Sequence, residues 1–150
     1  MRKEETVDHC IKTAWHAISR MYNQQAWKHD ITTAIGFVLL NIHAEHGTPA
    51  TKIAPLMGME ARSLTRTLKT MEEKRLIRRV PDAVDKRSVR IFLTELGKQK
   101  KEASRETVLM FNERVRDQIA PQKLRTFFIV MNEINTLALQ GLAEGEDIKQ

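Results

Sequence analysis

Between residues 59 and 93 the apolar spacing changes from the period of a helix to that of a strand, so the fold must let a helix feed into a hairpin. In MEARSLTRTLKTMEEKRLI, the residues Ala61, Leu64, Leu68 and Met71 fall at i, i+3, i+7 and i+10, a narrow stripe on one side of a helix. The other side carries Arg62, Ser63, Arg66, Lys69 and Thr70. Two short strands are expected next, at 77–80 and 89–93. In the second, Val89, Ile91 and Leu93 alternate with Arg90 and Phe92, and PDAVDKRS lies between the strands as a basic tip.

Charge follows the same division. The chain has 150 residues and a net charge of +6, with a pI of about 9.7. Residues 60–101 hold 13 Lys/Arg against 6 Asp/Glu, whereas the other 108 hold 12 against 13. The positive excess is therefore a local footprint of the kind that meets a polyanion, not a generally basic surface. Length suits one domain, and residues 1–150 are read as a single unit. No apolar run reaches 18 residues, and MRKEETVDHC has no signal core behind it, so a cytoplasmic protein without a membrane span is expected. A lone cysteine, Cys10, agrees with a reducing compartment.

Low aromatic content, few glycines and long amphipathic stretches predict a mainly helical fold, which the hairpin makes α+β. A first helix is expected over 6–27. Asp30 is expected to N-cap a second, which buries Ile31, Ile35, Val38, Leu39 and Ile42 and ends at Gly47-Thr48-Pro49. The short helix TKIAPLMG should close at Gly58. Thr94 is expected to cap a long helix to about residue 119, and Pro121 to begin a last one bearing Leu124, Phe127, Phe128, Met131, Ile134 and Leu137. GLAEGEDIKQ, at 141–150, reads as a polar tail.

Helix, short helix, Gly turn, amphipathic helix and hairpin make a helix-turn-helix followed by a two-stranded wing. A recognition helix needs one face for anchorage and an opposite face of donors for base edges, and this helix has both. A solvated basic surface helix explains that segment equally well on its own; the Gly58 turn and the basic hairpin weigh against it. IAPLMGMEARSLTRTLKTMEEKRLI followed by DKRSVRIFLTELG resembles the winged-helix core of the MarR family (multiple antibiotic resistance regulators), whose wing signature runs D-x-R-S into L-T-x-x-G. Here it is Asp85, Arg87, Ser88, Leu93, Thr94 and Gly97.

The resemblance implies a DNA-binding lobe at 31–97 and dimerisation helices at 5–28 and 98–140. It gives a recognition helix using Arg62, Ser63, Thr65, Arg66, Lys69 and Thr70, and a wing using Lys86, Arg87, Ser88 and Arg90. Arg87 would enter the minor groove and Asp85 would hold the wing. It further implies a homodimeric repressor on a pseudo-palindromic double-stranded DNA operator, with no cofactor and a small aromatic or amphipathic acid as effector. Trp15, His16, Arg20 and Trp27 are the candidate pocket residues. Two departures stand out. Arg75 occupies the place where the family ends its recognition helix with Gly, and Pro55 interrupts the short helix.

Other readings are weaker. His43 and His46, set three apart on the second helix near Glu45, and His9 beside Cys10 do not form a recognisable metal set. Cys10 falls on the apolar stripe of the first helix and reads as a small buried hydrophobe. No phosphate-binding glycine loop or catalytic triad order occurs, so no catalytic residue is assigned and no enzyme is expected. The alternative from another class is a winged-helix interaction module that turns its basic face to an acidic protein.

Overall fold

The computed structural model describes residues 2–58, 60–85 and 88–147, with backbone alone for 143–147. Two compact units are present, one ending at Val108 and the other beginning at Leu109. After a 3-10 turn at Lys3–Glu5, the first unit contains helices α1 (Val7–Trp27) and α2 (Thr33–Leu40), strand β1 (Thr48–Pro49), helices α3 (Ala50–Met57) and α4 (Ala61–Glu73), and strands β2 (Ile77–Pro81) and β3 (Val89–Leu93). Helix α5 (Glu95–Gln118) starts in this unit; its end and helix α6 (Pro121–Asp147) form the second. The mainly helical winged-helix architecture is as expected from sequence.

Asp30 does not cap α2. It takes a left-handed conformation (φ 55°), and the Ile31 N–H reaches back to the Ala26 carbonyl at 3.2 Å, which closes α1. A short polar side chain tolerates that conformation. The cap is Thr32, whose Oγ1 accepts from the Ile35 N–H at 3.2 Å.

Nor does α2 run to Gly47. It stops at Leu40, where the carbonyls of Leu40 and Ile42 accept from the Lys101 ammonium. His43 and His46 thus lie in a turn: His43 Nδ1 accepts from the Glu45 and His46 amides, and the two rings stack at 4.8 Å.

Gly47 then turns the chain with φ 60°, and a Cβ there would stand 2.5 Å from the Ile91 carbonyl oxygen. This lets Thr48 and Pro49 pair antiparallel with Ile91 and Arg90, so the sheet has three strands in the order β1-β3-β2 rather than two. A two-residue strand shows no alternation in sequence, and its proline is acceptable because the strand lies at an edge.

The core of the first unit gathers Val38, Leu39 and Ile42, Ile53 from α3, Leu64, Leu68 and Met71 from α4, and Ile91 and Leu93 from β3. Ala61, predicted within that stripe, is exposed. Pro55 sits inside α3 without breaking it, and Gly58 (φ 59°) ends the helix. At the end of α4, Arg75 is left-handed (φ 57°), with the Leu76 N–H on the Met71 carbonyl at 2.9 Å. This is the conformation that glycine usually fills, and a Cβ makes it costly. Arg75→Gly is expected to raise stability by about 0.5–1 kcal/mol, the left-handed strain relieved less the extra freedom of glycine in the unfolded chain, as read by urea unfolding.

Thr94 caps α5 as expected. Its Oγ1 accepts from the Gly97 N–H at 3.0 Å and donates to the Arg75 carbonyl at 2.7 Å, while its own N–H reaches the Leu76 carbonyl at 3.0 Å. Gly97 packs against that same carbonyl: a Cβ on it would lie 2.0 Å from the Leu76 oxygen.

In the second unit α6 continues to Asp147, seven residues past the boundary expected for a polar tail. Leu142, Ala143 and Glu144 are good helix formers, and polarity alone does not end a helix. Cys10 is exposed, not buried, with its Sγ 3.6 Å from the Glu4 carbonyl.

Candidate nucleic-acid interface

Leu64, Leu68 and Met71 fasten α4 to the core, which leaves its outer face to solvent. Arg62, Ser63, Thr65, Arg66 and Lys69 are all exposed, and Thr70 is half-buried at the edge. Arg62, Thr65, Arg66 and Lys69 fall at i, i+3, i+4 and i+7 and so form one continuous stripe.

The cations of the basic footprint divide into two groups. Arg79 is paired with Glu72 at 3.0 Å, Lys74 with Asp30 at 3.5 Å, Lys98 with Glu95 at 2.8 Å and Arg90 with Asp82 at 3.0 Å; Arg78 lies over the Phe92 ring at 5.0 Å. The side chains of Arg62, Arg66 and Lys69 have no hydrogen bond or ion pair among the described residues. Their charge is uncommitted and set on a rigid helix. The threonine hydroxyls behave differently. Thr65 Oγ1 donates to the Ala61 carbonyl at 2.9 Å, Thr67 to Ser63 at 3.1 Å and Thr70 to Arg66 at 3.3 Å.

Beside this helix, β2 and β3 pair in register from Ile77↔Leu93 to Pro81↔Val89. Lys86 and Arg87, the predicted wing-tip residues, lie outside the described residues. Ser88 is half-buried and serves the wing itself: its N–H and Oγ both donate to the Asp85 carbonyl, at 2.9 and 3.2 Å.

The carboxylate that organises the hairpin is Asp82, which the sequence reading passed over. It is only 7% exposed. Its Oδ1 accepts from the Val84 and Asp85 amides at 2.9 and 3.2 Å, and its Oδ2 from Arg90 Nε at 3.0 Å. Arg90, predicted as a DNA contact, also donates through Nη1 to the His46 and Gly47 carbonyls at 3.1 and 3.4 Å. Its guanidinium binds the wing to the loop before β1. The available signal was local: an Asp directly after a strand-ending proline, with amides two and three residues on, is an Asx-turn pattern.

The Val84 and Asp85 amides, with Arg90 beyond them, hold the Asp82 carboxyl below the usual carboxylate range. A depressed folded-state value gives stability that is complete above the unfolded-state value and is lost as pH falls through the folded one. The stability difference between the parent and Asp82→Asn, read by urea unfolding, is therefore expected to be largest at neutral pH. It should shrink below about pH 4.

The four candidate effector residues do not converge. Trp15 stacks on Phe37 at 6.0 Å and lines a cleft of about 510 Å³ with Ala34, Asn41, Leu56 and Met57. Trp27 lines a different cleft of about 380 Å³ with Asp30, Ile31, Thr32 and Lys74. His16 and Arg20 are exposed and line neither. Tyr22 packs edge-on against Phe37 at 5.9 Å, a neighbour the sequence reading did not foresee. Among the described residues no group of three or more His, Cys, Asp or Glu is placed to hold a metal, and no helix is long and apolar enough to cross a membrane.

The family model described as MarR family matches residues 31–89, which span α2 to the wing. The HTH-type transcriptional regulator TtmR of Methylorubrum extorquens (strain PA1) is 33% identical over 88 residues, 59% of this chain.

Over residues 31–89 the chain matches the MarR family.

The match spans 45% of TtmR, somewhat under half of that relative's length. MarR-type structures reproduce the fold over nearly the whole chain. The S. aureus MepR–DNA complex superposes with a TM-score of 0.81 at 22% identity, covering 87% of this chain and 97% of that one. PcaV from Streptomyces coelicolor, in complex with its natural ligand, gives 0.79 at 17% identity, over 92% and 97%. A mutant MarR from E. coli complexed with operator DNA gives 0.76 at 21%, over 85% and 92%. The matched segment contains both the uncommitted cations of α4 and the Asp82 turn.

Proposed function

We propose that the chain is a sequence-specific, double-stranded DNA-binding transcriptional regulator that acts as a homodimer on a pseudo-palindromic operator. The observation that carries this reading is the stripe of Arg62, Thr65, Arg66 and Lys69. It is exposed, it is anchored from behind by Leu64, Leu68 and Met71, and its three cations lack intramolecular partners among the described residues. Such a face supplies donors for base edges and phosphates. Paired wings would add Arg87 in the minor groove, where negative potential concentrates. MepR and a MarR mutant in complexes with DNA support the assignment.

The second copy is motivated by apolar surface. Phe127, Phe128, Ile129, Val130, Leu137 and Leu139 of α6 are exposed, and they occupy more than one side of the helix. A helix apolar on several sides is one that becomes buried. Val7, Ile11 and Trp15 of α1 are exposed as well. Two-fold symmetry then sets half-sites about one helical turn of DNA apart. Repression relieved by a small aromatic or amphipathic acid is the proposed mode of control, with the cleft beside Trp15 and Phe37 as its site. PcaV, a relative in fold, was solved with its natural ligand.

Selection from randomised duplexes tests the reading. A palindrome should be enriched, its affinity should fall steeply with salt, and Arg87→Ala should weaken binding by about tenfold or more while the protein still sediments as a dimer. Enrichment of no palindrome would overturn it in favour of an interaction module for an acidic partner.

A further inference from the structure

The recognition stripe contains one short side chain among three long cations. Thr65 stands between Arg62, three residues before it, and Lys69, four after, with Arg66 adjoining. A hydroxyl has one proton and two lone pairs. The Thr65 proton is given to the Ala61 carbonyl at 2.9 Å, so the exposed side chain offers the groove only an acceptor and a methyl group. It is a poor partner for guanine, whose N7 and O6 both need donors. Ser63 differs: its hydroxyl makes no hydrogen bond among the described residues, so its proton is uncommitted. Thr70 is back-bonded too, but it is half-buried and off the stripe.

Among base pairs, only A·T and T·A present a major-groove edge that carries both an amino donor and a methyl group: adenine supplies N6–H and thymine its C5 methyl. Cytosine supplies a donor without a methyl. An acceptor and a methyl on one side chain therefore complement an A·T pair and leave G·C with half of the match.

We propose that Thr65 is a specificity-determining residue that selects an A·T pair at one position of each operator half-site. This rests on the DNA-binding reading above. Arg62, Arg66 and Lys69 supply attraction to phosphates and guanine edges on either side, and Thr65 sets the choice between them. To donate instead, its hydroxyl would have to abandon the Ala61 carbonyl.

The test is selection from randomised duplexes followed by titration of the selected site, with the parent and with Thr65→Ala, Thr65→Ser and Thr65→Val. Thermal unfolding checks that each variant is folded. The parent should prefer A·T at one half-site position by roughly tenfold. Thr65→Ala should bring that preference within about twofold and leave the other positions as they were. Replacing the single thymine by uracil, which removes only the methyl, should weaken the parent and Thr65→Val but not Thr65→Ser or Thr65→Ala. The inference is overturned if Thr65→Ala keeps the parent's preference at every position, or loses all positions evenly. If the parent itself enriches no motif, the DNA-binding reading falls with it, and the two failures are thereby distinguished.

Discussion

Gly97→Ala is expected to destabilise the first unit severely. The added methyl would stand 2.0 Å from the Leu76 carbonyl oxygen and 3.0 Å from its carbon, and both are backbone atoms that cannot rotate away. Nor can α5 retreat, because Thr94 ties it to Arg75 and Leu76 by three hydrogen bonds. Overpacking against fixed backbone costs about 3 kcal/mol or more, a large share of the stability of a domain this size. Circular dichroism during heating should show a transition lowered by about six to twelve degrees or more, or abolished, as roughly 2–4 °C accompanies each kcal/mol at this size and somewhat more for a smaller unit. A variant as stable as the parent would mean that α5 does not pack as closely on the start of β2 as described.

Replacing Arg62 and Arg66 together by alanine is the second large effect, and it should leave the fold intact. Both side chains are exposed and make no hydrogen bond or ion pair among the described residues, so nothing internal is lost. A bidentate contact to a base edge is worth about 1–3 kcal/mol, so removing two should weaken specific binding at least about thirtyfold. A loss of the same size at every salt concentration would point to base contacts. A flatter dependence of affinity on salt would point to phosphate contacts. Fluorescence anisotropy on the selected duplex distinguishes the two, and unchanged affinity would remove α4 from the interface.

The elements with strong periodicity were legible in the sequence. The stripe of Leu64, Leu68 and Met71, the alternation of Val89, Ile91 and Leu93, and the Thr94 cap all follow from spacing and local chemistry, and all appear in the structure. What escaped depended on partners distant in sequence. Strand β1 exists because Gly47 brings Thr48 and Pro49 alongside Ile91 and Arg90, some forty residues on. Arg90 looked like one more cation for DNA until its guanidinium was found on Asp82 and the His46 and Gly47 carbonyls. The departure at Arg75 was visible from the absence of glycine, and the positive φ there gives that absence its physical meaning. The effector residues fared worst: a Trp in a helix shows its size but not its neighbours, and Trp15 and Trp27 line separate clefts.

The junction of Arg75, Leu76, Thr94 and Gly97 has a mechanical consequence. The recognition helix ends, the first wing strand begins, the second ends and α5 starts within one small knot of backbone hydrogen bonds. A displacement of the start of α5 would therefore have to break these bonds or carry the end of the recognition helix and both wing strands with it.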